Sequence, residues 1–202
     1  DKEVLLGELK EYDWLHLHHE DFTGQYGKFY ANYRNAAWYK DEVAQNEIMA
    51  AELGFATVAD LKKASALQIR EFVLKGGFLF AMCSATDTFD MALAAINTDI
   101  VESVFDGDPV AADYKTQLNF SETFAFENFS IIPNPLVYEY SNIDVPPSNA
   151  PVLRGAEADY FTLFEFSAKW DPVPTMLCQN HKSMIRGFMG QTTAFKAELV
   201  KS

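Results

Sequence analysis

The stretch that most constrains the fold runs from Lys75 to Ala95, KGGFLFAMCSATDTFDMALAA. Gly76-Gly77 leads into the apolar residues Phe78 to Met82, which have strand length. Cys83 follows, and then the polar run Ser84-Ala85-Thr86-Asp87. Beyond it Phe89, Ala92, Leu93 and Ile96 recur at helical spacing. The pattern is a strand, an abrupt turn carrying a cysteine, and a helix to about Ile96. A strand feeding directly into a helix belongs to an α/β architecture.

The preceding residues supply a partner strand and its crossover. Tyr12 to His18, YDWLHLH, is apolar and aromatic without a breaker and reads as a strand. Alternation places Trp14, His16 and His18 on one face and Asp13, Leu15 and Leu17 on the other. Phe22 to Tyr39 is crowded with aromatic residues that lack a clean period, and reads as a structured loop with a short helix. Asp41 to Leu53 is a helix stopped by Gly54. Thr57 with Asp60 opens the next helix, whose stripe is Val58, Leu61, Ser65, Ile69, Phe72 and Val73, closed by Gly76-Gly77. Strands joined by helices are most economically parallel, with a right-handed crossover. His18 to Asp21 and Cys83 are therefore expected on one edge of one sheet, where ligands of open α/β sheets bind.

The second half changes character. Phe120 to Tyr140 alternates aromatic and polar residues and reads as short strands or hairpins, as do Tyr160 to Phe166 and Val173 to Cys178. Gln191 to Lys201 reads as a closing helix. With 202 residues and no long polar linker, the chain is expected to be a single three-layer α/β domain, residues 1–202, with a mainly parallel central sheet and added β elements in the second half. A 49% hydrophobic composition excludes disorder. No apolar run reaches the roughly 20 residues of a membrane span. The balance of 16 basic against 29 acidic residues, net −13, argues against nucleic acid and anionic membrane as partners. The opening DKEVLLGELKEYD has no signal-peptide pattern.

Cys83 leads the chemical candidates. A nucleophile on a strand-to-helix elbow needs small neighbours two residues away, here Ala81 and Ala85, and a following helix N-terminus favours the thiolate. The competing reading is a buried cysteine ending an apolar strand. A base would come from His16, His18, His19 or His181, oriented by Glu20, Asp21 or Asp171, with His18 and His19 best placed by topology. HLHHED also offers His16, His18 and Glu20 or Asp21 to zinc, but without the recurrence of a known metal motif; no cofactor is expected. Cys83 and Cys178 form one disulfide or none. The aromatic run Tyr26 to Tyr39 is read as core, as a lid, or as a surface for a sugar or peptide. Asn119-Phe-Ser121 and Asn128-Phe-Ser130 match the short glycosylation pattern.

DWLHLHHEDFTGQYGKFY, GGFLFAMCSATDTFD, SAKWDPVPTMLCQNH and GFMGQTTAF together resemble a family of bacterial proteins labelled asparagine synthetase B, over about Tyr12 to Phe195. The resemblance implies a class I glutamine-amidotransferase-like fold. It does not carry over asparagine synthesis, because the amino-terminal glutaminase cysteine and the SGGxDS loop are both missing from the sequence. Within such a fold the elbow reads GxCxG; here AMCSA puts Cys83 at the nucleophile position, with alanines for glycines. The usual downstream histidine–glutamate pair has no counterpart beyond His181. The resemblance further implies a longer, exported parent protein of the periplasm or cell envelope. The expected function is a cysteine-dependent amide or acyl hydrolase or transferase using Cys83 with His18, His19 and Glu20. The alternative is a non-catalytic envelope protein binding a small molecule, a glycan or a protein partner.

Overall fold

A computed structural model describes residues 1–143, 160–162, 184–186 and 196–201. The chain divides into two compact units, residues 1–145 with 194–202, and residues 146–193. In the first, α1 (Lys2–Leu5) precedes β1 (Trp14–His18), and the short α2 (Tyr30–Tyr33) leads into α3 (Ala37–Glu52) and α4 (Val58–Leu74). Then come β2 (Phe78–Met82), α5 (Ser84–Ala94), α6 (Ser103–Asp106) and α7 (Tyr114–Gln117). In the second unit, β3 (Tyr160–Thr162) pairs antiparallel with β4 (Met184–Arg186). The molecule is a mixed α/β protein whose described parallel sheet has two strands.

β1 and β2 run parallel in the register Trp14↔Phe78 through His18↔Met82, so both carboxyl ends lie at one edge. One face is covered: Leu17 is buried with Ala66 and Ile69 of α4 and with Ala85, Phe89, Ala92 and Leu93 of α5, and Leu15, Leu79 and Ala81 pack against them. Among the described residues, nothing covers the other face. Trp14 is 62% exposed and Phe78 60%, and Phe80, Met82, His16 and His18 are exposed beside them. Alternation along each strand, as read from the sequence, produces this division.

α4 follows its sequence signals. Thr57 Oγ1 accepts the Asp60 amide at 3.0 Å, satisfying a first-turn donor. Val58, Leu61, Ser65, Ile69 and Phe72 form its buried stripe. Gly77 is required where the helix ends, because a Cβ there would come within 2.3 Å of the Phe72 ring. α3 starts at Ala37, before the expected Asp41. Its early start has a tertiary cause: Tyr39 is buried, edge to face with Tyr26 at 6.2 Å, so residues assigned to the aromatic loop become the first helical turn.

The expected short strands or hairpins over Phe120 to Tyr140 reduce to antiparallel bridges: Phe126↔Val200, and Ile131↔Ser141 with the Ile132 amide donating to the Tyr140 carbonyl at 2.8 Å, while Phe120–Glu122 is a 3-10 turn. Other backbone donors go elsewhere. Asp90 of α5 is buried, its Oδ1 accepting the Phe124 amide at 2.8 Å and its Oδ2 accepting Ala125 and Phe126 at 2.7 and 2.8 Å. Lys201 Nζ donates to Phe120 and Thr123 carbonyls, both at 2.6 Å. Of the expected closing helix, Gln191 to Lys201, residues 191–195 lie outside the described residues; Ala197–Leu199 is a 3-10 turn, and Val200 then bridges to Phe126. Of the expected strand Tyr160 to Phe166, Tyr160–Thr162 is a strand and residues 163–166 lie outside the described residues, as does Val173 to Cys178. Removing the Asp90 carboxylate strands these amides in a buried site, so Asp90→Ala should lower the unfolding free energy by about 3 kcal/mol in urea titrations. An unchanged midpoint would contradict the anchoring role.

Candidate functional site

Cys83 occupies the turn between β2 and α5 with φ 55° and ψ −136°. A side-chain-bearing residue enters this region at a cost of about 1–3 kcal/mol, which surrounding structure must offset. The turn is closed by the Thr86 amide donating to the Cys83 carbonyl at 3.0 Å. Ala85, two residues on, is fully buried. The thiol is free and half-buried. With the Thr86 amide taken by the Cys83 carbonyl, the Ser84 and Ala85 amides are the first of α5 without an acceptor within the helix, and they follow Cys83 directly in sequence. This is the strand, strained turn and helix that a nucleophile elbow requires.

The register brings His18 beside Met82, so His19 and Cys83 are the next residues at the same sheet edge. His19 is itself strained, at φ 67°. The His18 and His19 rings are 3.8 Å apart between centroids, and His16 and His18 are 6.1 Å apart. His16 Nε2 lies 3.2 Å from Met82 Sδ. Among the described residues no hydrogen bond links Cys83 to His18, His19 or Glu20. The Glu20 Oε2 atom is buried with no hydrogen-bond partner, so that oxygen orients neither histidine. The Glu20 carbonyl, by contrast, is held: Thr88 Oγ1 on α5 donates to it at 3.2 Å, or to the Ser84 carbonyl at 2.5 Å, and accepts the Phe22 amide at 3.3 Å. One hydroxyl thus ties the exit of β1 to the helix that follows Cys83. His181 and Asp171 lie outside the described residues, as does Cys178.

Beyond Glu20 the loop is organised by Asp21. Its Oδ1 accepts the Thr23 amide and hydroxyl at 2.7 and 2.6 Å, and its Oδ2 accepts the Gln25 and Gly27 amides at 3.1 and 2.9 Å. These bonds occupy both oxygens, so Asp21 is a turn-forming residue and not the metal ligand or histidine orienter that its place in HLHHED offered. Gly24, at φ 82°, is needed because a Cβ would come within 2.8 Å of the Ala59 backbone. Tyr26 and Lys28 also have positive φ, 51° and 59°. Lys28 is buried, and its ammonium donates to the Ile132 and Asn134 carbonyls at 2.7 and 3.0 Å. Burial lowers Lys28 to about 8, against the pull of Asp21, Glu139 and Glu102.

Among the described residues no group of three His, Cys, Asp or Glu side chains is arranged to hold a metal. No family model, curated protein or solved structure matches the chain. Thr88 and Lys28 were missed by sequence reading. Asp21-x-Thr23-Gly24 does carry an Asx-turn signal. A lone lysine in a polar loop carries no signal of burial.

Lys28 generates a pH prediction. Its folded value, about 8, lies below the usual 10.5, so between them the unfolded chain holds the extra proton and stability rises with pH. Chemical denaturation from pH 8 to 10 should show Lys28→Met flattening that rise. An unaltered slope would contradict the burial of a titrating ammonium.

Proposed function

We propose that the protein is a cysteine-dependent hydrolase or transferase of amides or related acyl groups, with Cys83 as nucleophile on a three-layer, glutamine-amidotransferase-like frame. The observation that carries this reading is the backbone of Cys83, a non-glycine residue held at positive φ between a parallel strand and a helix N-terminus. The Cys83 thiolate attacks the substrate carbonyl to give a tetrahedral oxyanion, which the first amides of α5 are suited to stabilise. Collapse forms a thioester and expels the amine, which takes a proton from His18 or His19 acting as imidazolium. Water, or an acceptor amine in a transferase, attacks the thioester and returns the thiolate. Glu20 acts in this scheme by fixing the β1 exit loop through its backbone, as Thr88 does from the other side.

The open sheet face supports the three-layer frame. Parallel strands are ordinarily buried on both faces. Trp14, Phe78 and Phe80 present apolar surface on the uncovered side, where a further layer would seat. An exported, envelope-located parent protein remains part of the proposal.

A second reading, a glycan-binding envelope protein without catalysis, is favoured by another observation. Tyr33 is 45% exposed and Trp38 46%, their rings 5.3 Å apart, and both pack on Phe29 at 5.9 and 5.7 Å. Exposed aromatic faces of this kind stack on sugar rings.

Incubation with an activated ester such as p-nitrophenyl acetate, followed by intact-mass analysis, separates the readings. The catalytic reading expects a single acetyl adduct on Cys83, lost in Cys83→Ala and turned over more slowly in the His18→Ala/His19→Ala double variant, by about 100-fold. Absence of a Cys83 adduct, together with glycan binding lost in Trp38→Ala, would replace it with the second reading.

A further inference from the structure

His16, His18 and Met82 bring three metal-binding side chains together on the parallel pair. Alternation along β1 puts His16 and His18 on the face that nothing covers among the described residues, and the register sets Met82 of β2 opposite His18 and diagonal to His16. All three are exposed. His16 Nε2 lies 3.2 Å from Met82 Sδ, and the His16 and His18 ring centroids are 6.1 Å apart. The backbone beneath them is fixed, because Leu17 on the opposite face of β1 is buried with Ala66, Ile69 and Phe89.

These separations fit one shared ion. Bonds of about 2.0 Å to nitrogen and about 2.3 Å to sulfur hold the two donor atoms roughly 3.2–3.7 Å apart in a three- or four-coordinate site. Two imidazoles bound through one nitrogen each have centroids no more than about 6.3 Å apart, so a side-chain rotation of His18 brings it to the same ion. The donor set indicates which ion. A thioether is a soft ligand that favours Cu(I) over the hard cations, and imidazole suits copper and zinc alike. The shared face, Trp14, His16, His18, Phe78, Phe80 and Met82, carries no carboxylate. Asp21 is taken up by its own loop, and Glu20 Oε2 is buried. The methionine therefore completes a set that histidine, cysteine and carboxylate do not form among the described residues. Three neutral donors leave the ion's charge uncompensated, which suits a monovalent ion better than a divalent one, and the net charge of −13 draws cations toward the chain.

We propose that His16, His18 and Met82 bind a soft monovalent metal ion, Cu(I) or its redox-inert analogue Ag(I), on the exposed face of the parallel pair. His16 Nε2 and Met82 Sδ supply the preformed donors, and His18 supplies the third. His18 is shared with the acid of the proposed hydrolase, but the metal site does not require Cys83 to be a nucleophile.

The test is a titration of the whole chain with silver nitrate in chloride-free buffer, in a Cys83→Ala/Cys178→Ala background so that no thiol competes. Methyl-labelled methionine provides the NMR readout, with the Met82 signal assigned by its loss in Met82→Leu. One ion per chain is expected, with Kd about 10 µM or tighter, and it should shift the Met82 methyl. Met82→Leu, His16→Gln and His18→Gln should each weaken silver by at least about tenfold, and zinc sulfate should bind at least about tenfold more weakly than silver. If the thiol-free background does not fold, the parent with both thiols capped as methyl disulfides takes its place in the same titration. A Met82 methyl that does not move, silver affinity unchanged in Met82→Leu, or zinc binding as tight as silver would overturn the proposal.

Discussion

The backbone of Cys83 is the constraint on which the rest of the larger unit depends. A side chain at φ 55° between β2 and α5 persists only if both flanking elements are fixed more firmly than the turn is strained. They are. β2 is held in register by β1 along its whole length, and α5 buries nearly every residue from Ala85 to Ala94. Phe89, Ala92 and Leu93 insert beneath the sheet, while Asp90 on the same helix gathers the amides of Phe124 to Phe126. The helix thus joins an apolar core to a buried hydrogen-bond anchor, and the strained turn is what remains between it and the strand.

The same helix organises the edge where chemistry would occur. Thr88, one turn into α5, accepts the Phe22 amide and lies within hydrogen-bond reach of the Glu20 carbonyl, so the exit of β1 is tied to the element that follows Cys83. From there Asp21 folds the loop on itself, and Lys28 fastens it to the carbonyls of Ile132 and Asn134. Residues at positive φ, His19, Tyr26 and Lys28 among them, follow one another through this loop. Strain and buried polar groups are concentrated beyond the carboxyl ends of the parallel pair, where open α/β sheets carry their sites.

Much of this frame was legible because it is written in local patterns. The Phe78–Met82 strand, the Thr57 cap and the α4 stripe each follow from residues within a turn or two of one another, and the parallel pairing follows from the helices between the strands. The elbow was legible as a cysteine between an apolar run and an amphipathic one. The contacts that replace regular structure were not. Asp90 meets amides more than thirty residues away, and Lys28 meets carbonyls more than a hundred residues away. A polar side chain satisfying distant backbone has no period, so the alternation of Phe120 to Tyr140 gave no sign that the Phe124 to Phe126 amides are taken by a helix side chain. In HLHHED the alternation was right for the histidines on β1, whereas Asp21 is spent on its own loop.

The account stands on Cys83 being activated by its position. The most direct measurement is the second-order rate of alkylation of Cys83 by iodoacetamide at pH 7, located by peptide mapping and compared with N-acetylcysteine. Activation by the turn and the α5 amides predicts a rate at least about tenfold above the free thiol. A rate equal to or below that of the free thiol, with the fold intact, would contradict it and leave Cys83 as a strained structural residue at the end of β2.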